Sequence, residues 1–180
     1  LNHRTIQGLN MNKKINTISY YDQYSKNYDS FYSNIQKHKM MLLMSYMPKS
    51  ELIFDLGGGT GIFSEFTNVP VINIDISSKM IRFGLKTRKY LSIAADLESL
   101  PIRKNSINSF VSFTAYQNTK NLNLSIKKLK ITLTDNSKGI LTLLTKSQAA
   151  NQIENIFSKY DILHEKIPTK TEDISYLIEL

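Results

Sequence analysis

The 180-residue sequence predicts an α/β fold: a seven-stranded, mostly parallel sheet with one antiparallel strand and helices on both faces. Three observations predict it. Short runs of β-branched and aromatic residues alternate with helix-length segments, which implies parallel strands joined by crossovers. The first run ends in Asp55 and a turn with glycine at 57, 58, 59 and 61, where the chain must reverse sharply. The last two runs are joined by a short loop around Pro168, whereas a parallel crossover needs about a dozen residues, so one strand is antiparallel.

Each element follows from its own residues. Residues 1–17 are polar, basic and aperiodic and read as a flexible basic arm, leaving 18–180 as the domain. Over 18–47, Tyr21, Tyr24, Tyr28, Phe31, Tyr32, Ile35, Met40, Leu43 and Met44 recur at helical spacing and predict two helices sharing a core face, stopped by Pro48. Leu52-Ile53-Phe54 is a short buried strand, and a helix is expected to begin over 62–66. Pro70 precedes a second strand over 71–75, after which Ser77 or Ser78 caps a helix over 79–87. Strands follow over 90–95, 109–114, 140–144, 161–167 and 173–180, with helices over 122–133 and 148–160.

Composition bounds the function. With 41% hydrophobic and 21% charged residues the chain reads as a soluble globular domain. No apolar run approaches the roughly 20 residues of a membrane helix, so no membrane role is expected. The basic amino terminus has no apolar stretch behind it, so no signal peptide is expected, and Met11 offers an alternative start to Leu1. The absence of cysteine excludes disulfides, thiolate metal sites and a cysteine nucleophile, and suits a cytoplasmic location. His3, His38 and His164 lack metal-ligand spacing, and His164, inside a predicted strand, reads as structural.

The net charge of +8 is uneven. Lys79, Arg82, Lys86, Arg88, Lys89, Arg103 and Lys104 form one basic stretch, and Lys120, Lys127, Lys128 and Lys130 another. Such a field attracts nucleic-acid phosphates. Lysine on solvated helix faces is the plainer reading, because neither stretch interleaves the aromatics of a single-strand binding face.

The chemistry lies at strand ends. The turn after Asp55 is spaced GxGxG, with Ile62 where a dinucleotide fingerprint requires glycine. A carboxylate at 55 repels a pyrophosphate and suits a cationic ligand. Asp75 closes the second strand, where an acid can accept both hydrogen bonds of a ribose diol, and Asp96 follows the third. Each acid alone reads as a cap or a solvated turn residue. Three at successive strand ends share the edge where open α/β sheets bind ligands.

The segments Asp55-Leu-Gly-Gly-Gly-Thr-Gly61, Ile74-Asp75-Ile-Ser-Ser-Lys-Met80 and Ala95-Asp96-Leu-Glu-Ser-Leu-Pro101 resemble successive motifs of the Rossmann-like class I S-adenosylmethionine-dependent methyltransferases. The resemblance is nearest to the "methyltransferase type 11" and ubiquinone/menaquinone-biosynthesis branch, whose amino-terminal helix Tyr21-Asp-Gln-Tyr-Ser-Lys-Asn-Tyr28-Asp29 also resembles. It implies S-adenosylmethionine as cofactor. By the resemblance Gly57, Gly58, Gly59 and Gly61 line its methionine part with Asp55 behind them, and Asp75 holds the ribose. Ile76 and Met80 pack near the adenine, Asp96 and Leu97 meet its amino edge, and Thr114 joins the site. Tyr21 and Tyr28 either close over the pocket or belong to the helix core.

One departure stands out: Asn105-Ser-Ile-Asn108 replaces the family's Asn-Ser-Phe-Asp before the fourth strand, as structural drift or as weakened cofactor positioning. The acceptor is expected near residues 114–118, with Tyr116, Gln117 or Asn118 orienting it, and no general base is evident. The Asn/Asp-Pro-Pro-Tyr/Phe motif of amino-methylating enzymes is absent. Methyl transfer is an in-line displacement resting on positioning and water exclusion, so no triad is required. The basic surface inclines the expectation toward RNA or a translation-machinery protein over a small molecule. A second expectation is a cofactor-binding module or partner-dependent subunit inactive alone. A third, an aminopropyltransferase, fits poorly because those enzymes typically carry a larger acidic polyamine pocket and this chain is basic and short.

Overall fold

The computed structural model describes residues 3–180, with side chains described from Lys13 onward. Helices α1 (His3–Tyr24) and α2 (Tyr28–Leu43) lead into the sheet. The strands are β1 (Ile53–Leu56), β2 (Val71–Asp75), β3 (Leu91–Ala94), β4 (Ile107–Phe113), β5 (Leu133–Leu144), β6 (Leu163–Ile167) and β7 (Asp173–Glu179). Helices α3 (Ser78–Gly84), α4 (Leu122–Thr132) and α5 (Ile153–Lys159) connect them. All seven strands form one sheet in the order β3-β2-β1-β4-β5-β7-β6. Strands β1 to β5 pair in parallel, and β7 lies antiparallel between β5 and β6. The short loop around Pro168 thus does what its length demands.

The chain winds outward from β1 through β2 to β3 and then resumes on the other side at β4. Neighbours β1 and β4, with Asp55 opposite Val111, therefore mark the switch point beyond whose carboxyl ends a crevice opens. Both faces are covered. Phe54, Phe110, Leu141 and Tyr176 pack with Ile126 and Leu129 of α4 and Phe157 of α5. On the other face Ile53, Val71, Val111 and Ile140 pack with Met40 and Leu43 of α2. A fully buried Leu, Ile or Phe contributes about 1.5–3 kcal/mol by leaving water, so these two clusters drive the fold.

Several elements differ from expectation, each for a local reason. α1 runs through the expected boundary at residue 17, so residues 3–17 are helical rather than an aperiodic arm. Residues 1 and 2 of that arm lie outside the described residues. The face that α1 turns to the cleft is Lys14, Thr17 and Tyr21, mostly polar, so apolar periodicity does not register it. The expected helix at 62–66 is only a 3-10 turn, Ile62–Glu65, because Pro70 and β2 follow too soon for more. Ser77 caps α3, its hydroxyl accepting from Met80 N at 3.1 Å. β5 begins at Leu133, before Gly139, and the helix expected over 148–160 starts only at Ile153 after turns. On α2, Phe31 and Ile35 face solvent rather than core.

Candidate active site

Gly57, Gly59 and Gly61 adopt φ of +76°, +57° and +74°, a left-handed backbone that only glycine takes without strain. The loop curls back onto β2, with Gly57 N donating to Ile74 O at 2.7 Å. A Cβ on Gly58 would collide with the Asp55 carboxylate and Asn73 Oδ1, and one on Gly57 with Ala115. This loop forms one wall of a cleft that opens to solvent.

The cleft brings together Asp55, Gly57, Gly58, Gly59, Asp75, Ile76, Met80, Asp96, Leu97, Thr114 and Tyr28. Gly61 is the exception among the expected site residues. It is buried against the Tyr90 ring, and its role in the structure is to let the glycine turn and that ring approach closely.

Asp55 is buried at the end of β1, and its Oδ1 has no hydrogen-bond partner. Burial, reinforced by the nearby Asp75 charge, raises its pKa to about 8. Asp75 is differently placed. Its Oδ2 accepts from Gly59 N at 2.9 Å and its Oδ1 from Ser77 N at 2.8 Å, so it shapes the glycine loop. Burial raises it to about 6, against the lowering effect of those two amides. Asp96 caps the turn 97–99, accepting from Glu98 N at 2.9 Å, and pairs with Lys14 of α1. Thr114, at the end of β4, has φ +54°, a rare conformation for a threonine, and is held there by Thr142 O and Oγ1, both 3.0 Å from its amide.

The polar helix α1 crosses the cleft mouth and is tied to both walls. On one side Asn118 Nδ2 donates to Tyr21 Oη at 3.0 Å and Lys13 Nζ to Thr119 O at 2.8 Å. On the other, Ser77 Oγ donates to Asp22 Oδ1 at 2.6 Å. α2 is tied to the glycine loop itself: Thr60 Oγ1 donates to Asp29 at 2.6 Å, and Arg88 bridges Asp29 and Glu65.

Of the three residues expected to orient an acceptor, only Asn118 reaches the cleft. Tyr116 is fully buried, and Gln117 Oε1 accepts from Leu144 N at 2.7 Å. Asn108 lies at the opposite end of β4, where its Oδ1 accepts from Thr134 at 2.9 Å, remote from the loop. His164 stacks among Phe157 and Tyr176. Sequence reasoning missed Asn73, whose Nδ2 donates to Gly59 O at 3.0 Å while its Oδ1 is unpartnered. A polar residue at the centre of the apolar run 71–74 is the signal that marks it. It also missed Lys14, Gln36, Met40 and Phe113, which only folding brings to the cleft. Among the described residues no group of three or more His, Asp or Glu is placed to hold a metal ion, and no helix is long and apolar enough to cross a membrane.

The fold is shared with solved S-adenosylmethionine-dependent methyltransferases, the class that the glycine loop and the acids at strand ends resemble. A family model described as a methyltransferase domain matches residues 54–141 of this chain. An uncharacterized protein of Methanocaldococcus jannaschii is 25% identical over 133 residues, covering 73% of this chain and 53% of that protein. The chain thus spans about half the length of the curated relative that it matches. Among solved structures, the complex between the Haloferax volcanii Trm112 methyltransferase activator and its methyltransferase contains a similar chain. It matches at TM-score 0.75 and 12% identity, covering 88% of this chain and 96% of the other. A S-adenosylmethionine-dependent methyltransferase of Aquifex aeolicus matches at TM-score 0.67 and 11% identity, covering 78% and 88%. One from Methanococcus maripaludis matches at TM-score 0.68 and 15% identity, covering 90% and 91%. At these identities the likeness is one of fold.

The cofactor of this class fits the residues present. An unpartnered carboxylate oxygen buried beneath the glycine loop suits a cationic amino group, and Gly57 and Gly58 sit where Ala115, Asp55 and Asn73 leave no room for a side chain.

Proposed function

We propose that the chain transfers a methyl group from S-adenosylmethionine to an acceptor bound in the same cleft. The observation that carries this is Asp55, buried with an unsatisfied oxygen at the switch point, under a loop that presents backbone to the cleft. When bound, the cofactor supplies a methyl group on a cationic sulfur with a good leaving group. Asp55 and Gly57 to Gly59 would hold the amino-acid end, Asp75 the ribose, and Ile76, Met80, Asp96 and Leu97 the adenine side. α1 and α2 exclude water by lying over the mouth. The absence of cysteine suits a cytoplasmic setting.

Calorimetric titration with S-adenosylmethionine tests the reading. Asp75 accepts two amides that shape the loop, and such charge-assisted bonds contribute about 1.5–3 kcal/mol each. Asp75→Ala is therefore expected to weaken binding at least tenfold. Unchanged affinity in that variant, or no binding by the wild type at millimolar cofactor, would overturn it.

A second reading, a subunit that needs a partner, has one observation in its favour. Edge strand β3 bears Leu-Ser-Ile-Ala, with no charge or proline to blunt it and Leu91 63% exposed, whereas the other edge, β6, carries Glu165 and Lys166. An unprotected edge is a template for another chain's strand. The Haloferax volcanii neighbour is bound to an activator, which supports the same reading. Methyl uptake by the purified chain alone excludes it; uptake only after adding cell extract favours it.

A further inference from the structure

The cleft has two halves. Asp75, Ile76, Met80, Asp96 and Leu97 stand over β2 and β3, the side already assigned to the nucleoside. Over β1 and β4 stand Ile62, Met40 and Phe113, which pack together as part of a buried apolar cluster, with Tyr28 and Gln36 of α2 beside them. Within this apolar wall Gln36 Oε1 is buried and has no hydrogen-bond partner among the described residues. A buried, unsatisfied carbonyl oxygen is destabilising, a cost removed by a ligand that donates to it.

Resting on the methyltransferase reading above, we propose that this half of the cleft is the acceptor subsite, that its occupant is a small primary or secondary amine on an apolar body, and that Gln36 Oε1 accepts the amine N–H. Size follows from the lid. α1 is tied to Ser77 on one wall and to Asn118 and Thr119 on the other, which shuts a polymer out of the mouth. Of the basic residues, Arg103, Lys104 and Lys130 sit where β4 and β5 begin, at the end of the sheet opposite the cleft, whereas Lys14 and Lys120 line it.

The choice of an amine follows from the titratable groups that face this half of the cleft, since Asp55 and Asp75 are taken by the cofactor in the reading above. Tyr28, the hydroxyl facing this subsite, is pushed up far beyond neutrality, chiefly by burial, and stays protonated, so it cannot serve as a base. A hydroxyl acceptor needs its proton removed; a neutral amine does not. The nitrogen lone pair forms the new bond to the methyl carbon, the carbon–sulfur pair stays on sulfur, and the amine's proton leaves with the product as an ammonium. Apolar walls and a neighbouring sulfonium both favour the neutral amine that this step requires.

The test uses the full chain, its Gln36→Leu variant and S-adenosylhomocysteine. Binding of S-adenosylhomocysteine is measured first and is expected to be equal in both proteins; its absence would sink the cofactor reading itself, apart from this one. With that ligand saturating, calorimetry then compares phenethylamine, N-methylphenethylamine, isoamylamine and tryptamine with phenethyl alcohol. At least one amine is expected to bind the wild type, with affinity reduced tenfold or more in Gln36→Leu, and, in a separate assay, to take up methyl from labelled S-adenosylmethionine. If the cofactor product binds but no amine does, or the alcohol binds as well as its amine, the proposal fails. It also fails if Gln36→Leu leaves amine affinity unchanged, or if label passes only to tRNA.

Discussion

Asp55 shows how one buried side chain couples protonation to binding. Its folded value of about 8 stands against an ordinary 3.8, so between those pH values the folded chain holds a proton that the unfolded chain has released. Stability from this group therefore falls as pH rises through that window. Asp75 acts in the same sense but completes its change near pH 6. The melting temperature of the free protein is expected to drop between about pH 6 and 8, above the range of Asp75, and Asp55→Asn to lose most of that drop, as scanning calorimetry would show. An equal drop in the variant would place the titration elsewhere. The cation of the cofactor favours the ionised carboxyl, so affinity for it rises over the same range. The position of Asp55 at a strand end was legible in the sequence; its unsatisfied oxygen was not, because that depends on Asn73 and the loop folding against it.

At the scale of elements, α2 is held by more than its apolar face. Lys39 and Asp173 form an ion pair with side chains 7% and 2% exposed, joining α2 to the start of β7. Removing one partner of such a pair leaves a buried charge and costs about 3–5 kcal/mol, while replacing both with apolar residues is often neutral. Lys39→Ala should lower the urea midpoint markedly, and Lys39→Met with Asp173→Leu should recover most of the loss; a double variant as weak as the single would refute this account. The helical spacing of Met40 and Leu43 announced the helix, but α2 presents Phe31 and Ile35 to solvent and Lys39 to the interior. Periodicity identifies a helix without telling which of two apolar faces meets the sheet, and a buried lysine is recognised only beside its partner.

For the whole molecule, the described side chains of α1, from Lys13 to Tyr24, lie outside both apolar clusters and meet the rest of the chain through polar ties to the cleft rim and the contact of Tyr21 with Tyr28. Deleting residues 1–24 is expected to leave the sheet folded by circular dichroism while raising the cofactor dissociation constant at least tenfold. Loss of the folded signal would show instead that the helix belongs to the core. The alternation of strands and helices, the single antiparallel strand and the three acids at strand ends were determined by the sequence alone, because each rests on local spacing or on a connection too short for any other path. The helix across the mouth, the retreat of Gly61 behind Tyr90, the bond of Gln117 to Leu144 and the open carbonyl of Gln36 were decided only by the tertiary structure. Polar groups carry no periodic signature, and what they do is set by the partner that folding brings, or fails to bring, within hydrogen-bond reach.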